Sequence, residues 1–117
     1  MEVIKKALDL QEDKYYITHL SIINPMLPVH LTPKEIEVLA AFMTLKGDIA
    51  NVDRFATSCR KIVKSRLELS DGGLGNYIKS LKEKGFIRVS EEEILYIPKF
   101  LFAEEKEQGY MFKIRKV

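Results

Sequence analysis

The segment at residues 70–87, SDGGLGNYIKSLKEKGFI, constrains the fold most, because it specifies a helix, its end and the start of a strand. Its apolar residues Leu74, Ile78 and Leu81 are spaced by four and then three positions, which places them on one face of an α-helix. Gly85 suits the end of that helix, since glycine enters the left-handed conformation without a steric penalty. The next two residues are apolar and begin an extended run. The segment therefore predicts an amphipathic helix that leads directly into a strand.

The beginning of this helix leaves two alternatives. Ser70 or Asp71 is suited to cap it by accepting a hydrogen bond from a free backbone N–H. Gly72, Gly73 and Gly75 follow, and each glycine inside a helix costs up to about 1 kcal/mol relative to alanine. Either the glycines form a loop before a shorter helix that starts near Leu74, or they lie in the helix and permit a close backbone approach.

An earlier helix has a well-marked start. Thr32 is a favourable N-cap, Pro33 suits the first helical position, and Glu35 completes a capping box with Thr32. The helix is expected to run to about Lys46, because residues 47–48 are Gly-Asp. Its apolar stripe is predicted to contain Ile36, Leu39, Ala40, Met43 and Phe42.

The other predicted elements follow from composition and spacing. Aromatic and β-branched side chains favour strands, and apolar residues at helical spacing favour helices. These patterns predict a short helix at 2–10, a strand at 15–23, a helix from 51–53 to about 65, a hairpin of strands at 86–89 and 94–97, and a terminal strand at 110–117.

Length and composition indicate one domain of 117 residues without cofactors. One cysteine excludes an internal disulfide, and Cys59 lies on the apolar face of its helix, where we expect a buried thiol. His19 and His30 lack metal-ligand spacing, so no metal site is expected. No catalytic constellation is present, which predicts a protein that is not an enzyme. The absence of a long apolar run or a signal-peptide core predicts a cytoplasmic protein that does not enter a membrane.

Charge is distributed unevenly along the chain. Residues 51–88 contain nine basic and four acidic side chains, whereas the segments before and after them are slightly acidic. Binding to phosphates depends on clustered lysine and arginine side chains. The basic middle third, which contains the helix at 70–85, is therefore the candidate nucleic-acid surface, although a solvated helix face has the same composition.

The order helix, helix, helix, hairpin over residues 31–97 resembles the winged helix-turn-helix domain of MarR-type regulators. The matching segments are LTPKEIEVLAAF, at residues 31–42, and LGNYIKSLKEKGFI, at 74–87. The resemblance implies an α+β fold with a DNA-recognition helix at the second segment, flanked here by extensions at 1–30 and 98–117. MarR-type proteins are dimers held by long terminal helices, whereas the flanks of this chain are predicted to be strands.

The resemblance implies a set of residues that contact double-stranded DNA. Positions off the apolar stripe of a recognition helix face the major groove, and cations on the preceding helix contact phosphates. Residues 91–93 are three glutamates, so the tip of the predicted hairpin is expected to stay away from DNA. The predicted contact residues are Arg60, Lys61, Lys64, Arg66, Asn76, Tyr77, Lys79, Ser80, Lys82 and Arg88.

Two functions from different classes remain at this point. The basic middle third favours a DNA-binding transcriptional regulator or replication accessory module. The predicted terminal strands favour a structural adaptor that joins copies of itself or other protein subunits in a larger assembly, such as a phage particle, because unpaired strand edges recruit partner chains.

Overall fold

The computed structural model describes residues 6–117 and shows an α+β fold. Helices surround a central apolar core, and one small antiparallel sheet lies at its edge. The helices are α1 (Glu12–Ile23), α2 (Pro33–Met43), α3 (Asp48–Val52), α4 (Thr57–Leu67) and α5 (Asp71–Glu83), the strands are β1 (Arg88–Val89) and β2 (Leu95–Tyr96), and two short 3₁₀ turns lie at Asn24–Met26 and Lys99–Leu101.

Helix α2 begins with the predicted capping box. The backbone N–H of Glu35 donates to Oγ1 of Thr32 over 3.2 Å, and the backbone N–H of Thr32 donates to Oε1 of Glu35 over 2.7 Å. Because Val38 and Phe42 are fully buried and α2 packs against α1, α4 and α5, this helix is the centre of the core.

The carboxyl end of α2 lies at Met43, three residues before the predicted end. The guanidinium of Arg54 donates to the carbonyl oxygens of Phe42, Met43 and Leu45 over 2.9–3.3 Å. The first two belong to the last turn of α2, where carbonyl groups have no partner in a following helical turn, and the third follows the helix. Arg54 therefore stabilises a helix end that the Gly47-Asp48 signal had placed too late.

The prediction of one helix from 51–53 to 65 is wrong in its first part. The backbone at Asp53 is extended, and its Oδ1 accepts a hydrogen bond from the N–H of Phe55 over 3.0 Å, which separates α3 from α4. Val52 is 76% exposed, whereas Phe55 packs on Phe42 with ring centroids 4.4 Å apart. Cys59 is buried, as its position on the apolar face of α4 had indicated.

Helix α5 includes all three glycines, which resolves the alternatives for its start. The Ser70 hydroxyl accepts a hydrogen bond from the N–H of Gly73 over 3.0 Å, so the cap precedes the glycines. Gly85 follows the helix with a φ of 82°, the left-handed conformation predicted for it. The apolar stripe at Leu74, Ile78 and Leu81 is buried.

The predicted hairpin follows α5 and is shorter than expected. Arg88 pairs with Tyr96 and Val89 pairs with Leu95 in antiparallel register. The flanking residues Phe86, Ile87 and Ile97 are buried outside the strands. The glutamates at 91–93 form the exposed turn between the strands.

The two flanking strands that the sequence predicted are absent from the described residues. Residues 15–23 lie in α1, where Tyr16, His19, Leu20 and Ile23 recur at helical spacing and pack toward the core. Residues 110–117 have no regular secondary structure. In the helix predicted at 2–10, residues 6–10 are not helical, and the rest lies outside the described residues.

Candidate nucleic-acid interface

Helices α4 and α5 are joined by a turn of three residues, 68–70. Glu68 ends α4 in the left-handed conformation, with a φ of 53°, and the N–H of Leu69 donates to the carbonyl of Lys64 over 3.0 Å. The turn keeps the two helices adjacent. Because Leu74 and Leu81 hold the inner face of α5 in the core, the opposite face of α5 is presented to solvent.

The outer face of α5 contains three of the predicted contact residues in exposed positions, namely Asn76, Lys79 and Lys82. Tyr77 is half-buried beside them. Neither a hydrogen bond nor an ion pair within residues 6–117 engages the two lysine ammonium groups, so their charges face solvent. A shallow depression of about 400 Å³ lies next to this face, lined by Thr32, Glu35, Gly73, Asn76, Tyr77 and Ser80.

Ser80 is used inside the protein. Its hydroxyl donates to Oε2 of Glu35 over 2.7 Å, while the Lys84 ammonium donates to Oε1 over 2.6 Å and to the carbonyl of His30 over 2.9 Å. Burial acts to raise the pKa of Glu35, but the hydrogen bonds from Lys84, the Thr32 N–H and Ser80 outweigh it and hold that pKa below its ordinary value. Glu35 is therefore a buried carboxylate that joins α2 to the end of α5.

Sequence reasoning missed Lys84. Lys84 follows α5 directly, and its charge was counted with the basic middle third. The capping box had identified only one role for Glu35, the contact to Thr32. A signal was nevertheless present, because a carboxylate at a core-facing helix position is rarely buried without a cationic partner.

The cations of α4 divide into engaged and free side chains. Arg60 Nε donates to the carbonyl of Phe55 over 2.7 Å, and Arg66 donates to Oγ1 of Thr44 over 3.0 Å. Lys64 forms an ion pair and hydrogen bond with Asp71 at the start of α5. That hydrogen bond and the Lys64 charge lower the pKa of Asp71. Lys61 is exposed, with no ion pair in the described part of the chain.

Arg88 lies on β1 with its side chain partly engaged. Its Nε donates to the carbonyl of Gly85 over 3.0 Å, and the guanidinium carbon lies 5.6 Å from the centre of the Phe100 ring. This contact is a cation–π interaction at an exposed position. The geometry fixes the direction of the guanidinium and keeps it at the surface next to α5.

A second polar site lies on α1 and involves His19. Its Nε2 lies 3.0 Å from the carbonyl of Leu101, which can only accept, so Nε2 carries the proton and Nδ1 accepts from the Tyr110 hydroxyl over 2.5 Å. Burial lowers the pKa of His19, against the opposing effect of the Leu101 carbonyl. His19 therefore attaches the C-terminal part of the chain to α1.

A cleft of about 760 Å³ lies beside His19, between α1 and the segments at 6–11 and 106–110. Its lining combines the Tyr15, Thr18 and Ile22 side chains of α1 with charged residues of the two segments. The cleft is separate from the predicted contact residues, since its lining contains none of them.

The chain matches no protein-family model, no curated protein and no solved structure. From residue 6 onward, no helix has both the length and the apolar character needed to cross a membrane.

Proposed function

We propose that this protein is a cytoplasmic winged-helix protein that binds double-stranded DNA and acts as a transcriptional regulator or replication accessory module. The observation that carries the proposal is the pair of consecutive helices α4 and α5, whose outer surface presents Lys61, Asn76, Lys79 and Lys82 to solvent. In this proposal α4 and α5 form the helix-turn-helix and the β1–β2 hairpin is the wing.

The roles of these side chains follow from their chemistry. Asn76 on the exposed face of α5 can form two hydrogen bonds with an adenine edge in the major groove. The ammonium groups of Lys61, Lys79 and Lys82 supply the positive charge that binding to phosphates requires. Tyr77, half-buried beside Asn76, supplies a hydroxyl and an aromatic face at the edge of the contact.

We narrow the proposed set of DNA-contacting residues by the contacts that their side chains already make within the protein. Arg60, Arg66 and Ser80 already donate hydrogen bonds to groups of the protein, and Lys64 is paired with Asp71. We assign these four side chains to the support of the α4–α5 unit, and Arg88, whose Nε donates to the Gly85 carbonyl, to the support of the hairpin.

The adaptor alternative has lost part of its support. It depended on β-strands at 15–23 and 110–117, and the first of these segments is α1 while the second forms no strand. The basic surface of α4 and α5 remains, so binding to DNA is the function that the geometry supports best.

The test is a titration of random-sequence duplex DNA followed by fluorescence anisotropy at several salt concentrations. Each neutralised phosphate releases condensed counterions, so the affinity is expected to fall steeply with salt. The variant Lys61→Ala, Lys79→Ala, Lys82→Ala should bind all sequences more weakly and reduce the salt slope by about two to three.

A matched control removes three lysines around α1, at Lys14, Lys46 and Lys106, and should leave the affinity nearly unchanged. Asn76→Ala should instead reduce discrimination between a selected site and random DNA. The proposal fails if the protein does not bind duplex DNA near 50 mM salt, where phosphate contacts are strongest. It also fails if the control and the triple variant lose affinity equally.

A further inference from the structure

The β1–β2 hairpin, residues 88–96, has unpaired edges. Each strand is two residues long and pairs only with the other, so its outward-pointing backbone N–H and C=O groups are open, and no other sheet is present in residues 6–117. Val89, Tyr96 and Phe100 are exposed on or beside this hairpin. Open strand edges with exposed apolar side chains are sites at which another extended chain can be added.

The segment at 110–117, YMFKIRKV, is an extended chain of the kind that can pair with an open strand edge. Tyr110 holds one end of it on α1 through the hydrogen bond to His19. The rings of Tyr110 and Phe112 lie nearly parallel, at 7°, with centroids 6.4 Å apart, as expected for side chains two positions apart on one side of an extended chain.

Beyond Tyr110 the segment makes no hydrogen bond to any residue from 6 to 117. The Met111 and Ile114 side chains are 87% and 98% exposed. An exposed segment of this kind combines free backbone groups with apolar side chains that would be removed from water by a partner.

The charges of the hairpin and the segment are opposite. The hairpin turn contains Glu91, Glu92 and Glu93, whereas the segment contains Lys113, Arg115 and Lys116 and no acidic residue. No ion pair in the part of the chain that the structure describes joins the two groups. Charge complementarity of this kind sets partner choice and register more than it sets affinity.

We propose that residues 110–117 of one copy of this chain add to the edge of the β1–β2 hairpin of a second copy. The added segment brings its cation-rich end, residues 113–116, to the glutamates of the turn and the apolar side chains before that end to the Tyr96 and Phe100 surface. The contact is heterologous, so it generates closed rings or open filaments according to the rotation between copies. This proposal is independent of binding to DNA.

The test uses charge reversal and mass measurement by light scattering. The wild-type protein should gain mass as its concentration rises from about 5 μM to about 500 μM, the range of weak self-association. Reversal of the segment (Lys113→Glu, Arg115→Glu, Lys116→Glu) and reversal of the turn (Glu91→Lys, Glu92→Lys, Glu93→Lys) should each raise the concentration needed by about tenfold or more, because like charges then meet.

Two further samples distinguish this contact from any other. The chain with both reversals should associate again. An equimolar mixture of the two singly reversed chains should associate at concentrations at which neither does alone, since each segment then meets a turn of opposite charge. Melting temperatures measured by circular dichroism should match the wild-type value, because all six positions are exposed. A wild-type protein that stays monomeric, an unchanged self-association in the reversed chains, or a mixture that stays monomeric would overturn the proposal.

Discussion

The Lys84 ammonium lies 2.6 Å from Oε1 of Glu35, and this contact joins the end of α5 to the first turn of α2. Glu35 is almost fully buried, whereas the Lys84 side chain keeps 22% of its surface exposed. Loss of either partner leaves the other without its counter-charge, and the cost is greater when the remaining charge is the buried one.

Lys84→Ala should therefore lower the free energy of unfolding by about 2–4 kcal/mol, because the Glu35 carboxylate stays in the core without its cation. Urea denaturation at neutral pH measures this change. Lys82→Ala is the matched control, since it removes the same charge at an exposed position and should change stability by no more than about 0.5 kcal/mol. Equal effects of the two substitutions would mean that the Lys84 contact adds nothing to the fold.

The lowered pKa of Glu35 predicts a loss of stability in acid. The unfolded chain binds a proton at Glu35 at a higher pH than the folded chain. The ionised Glu35 therefore stabilises the fold fully above the unfolded pKa of about 4.3, and this stabilisation is lost as the pH falls through the lower pKa of the folded state. The free energy of unfolding measured from neutral to acidic pH should show this decline, and Glu35→Gln should reduce it. The prediction would be contradicted if the Glu35→Gln variant lost stability in acid as much as the wild-type protein does.

The lowered pKa of His19 predicts a second decline at higher pH. Burial favours the neutral imidazole in the folded state, so the unfolded chain takes up a proton first as the pH falls below about 6.5. The free energy of unfolding should decrease as the pH falls from about 6.5 to the lower pKa that His19 has in the folded state. His19→Gln should remove this decline, whereas the exposed His30→Gln should keep it. Thermal melts at intervals between neutral and mildly acidic pH provide the measurement.

The glycines of α5 should respond differently to alanine. A Cβ at Gly72 or Gly75 would meet no atom within 4 Å, so each substitution should stabilise the protein by about 0.5–1 kcal/mol through helix propensity. A Cβ at Gly73 would lie 3.1 Å from Oγ of Ser70 and disturb the cap, which should reduce or reverse the gain. Gly85→Ala should destabilise, because its φ of 82° strains any other residue. Thermal melts of the four variants should preserve this order.

Local sequence signals specified the parts of the fold that depend on near neighbours. The capping box of Thr32 and Glu35 and the left-handed Gly85 involve residues a few positions apart, and both formed as predicted. The prediction of a strand at residues 15–23 was wrong, because apolar side chains lie on nearly every side of that segment. The helical period is therefore hidden, and the β-propensity of the residues alone predicts a strand. In the folded protein the packing of α1 against α2 outweighs that propensity.

The candidate site was predictable in its position and not in its internal contacts. The spacing of Leu74, Ile78 and Leu81 was sufficient to place the exposed face of α5. The hydrogen-bond partners of Ser80 and Arg66 could not be predicted from the sequence. Each of these contacts joins residues far apart in sequence that only the packed helices bring together.

The hydrogen bonds that attach the C-terminal part of the chain to α1 also affect the order of folding. Tyr15 bonds to the carbonyl of Glu104, 89 positions away, and His19 bonds to Tyr110, 91 positions away. Closure of such long loops costs entropy that only an already folded intervening chain reduces. On the ribosome, α1 emerges early and completes these contacts only when the residues after 100 have been synthesised. The side of α1 that carries Tyr15 and His19 is thus exposed on a nascent chain for most of its synthesis.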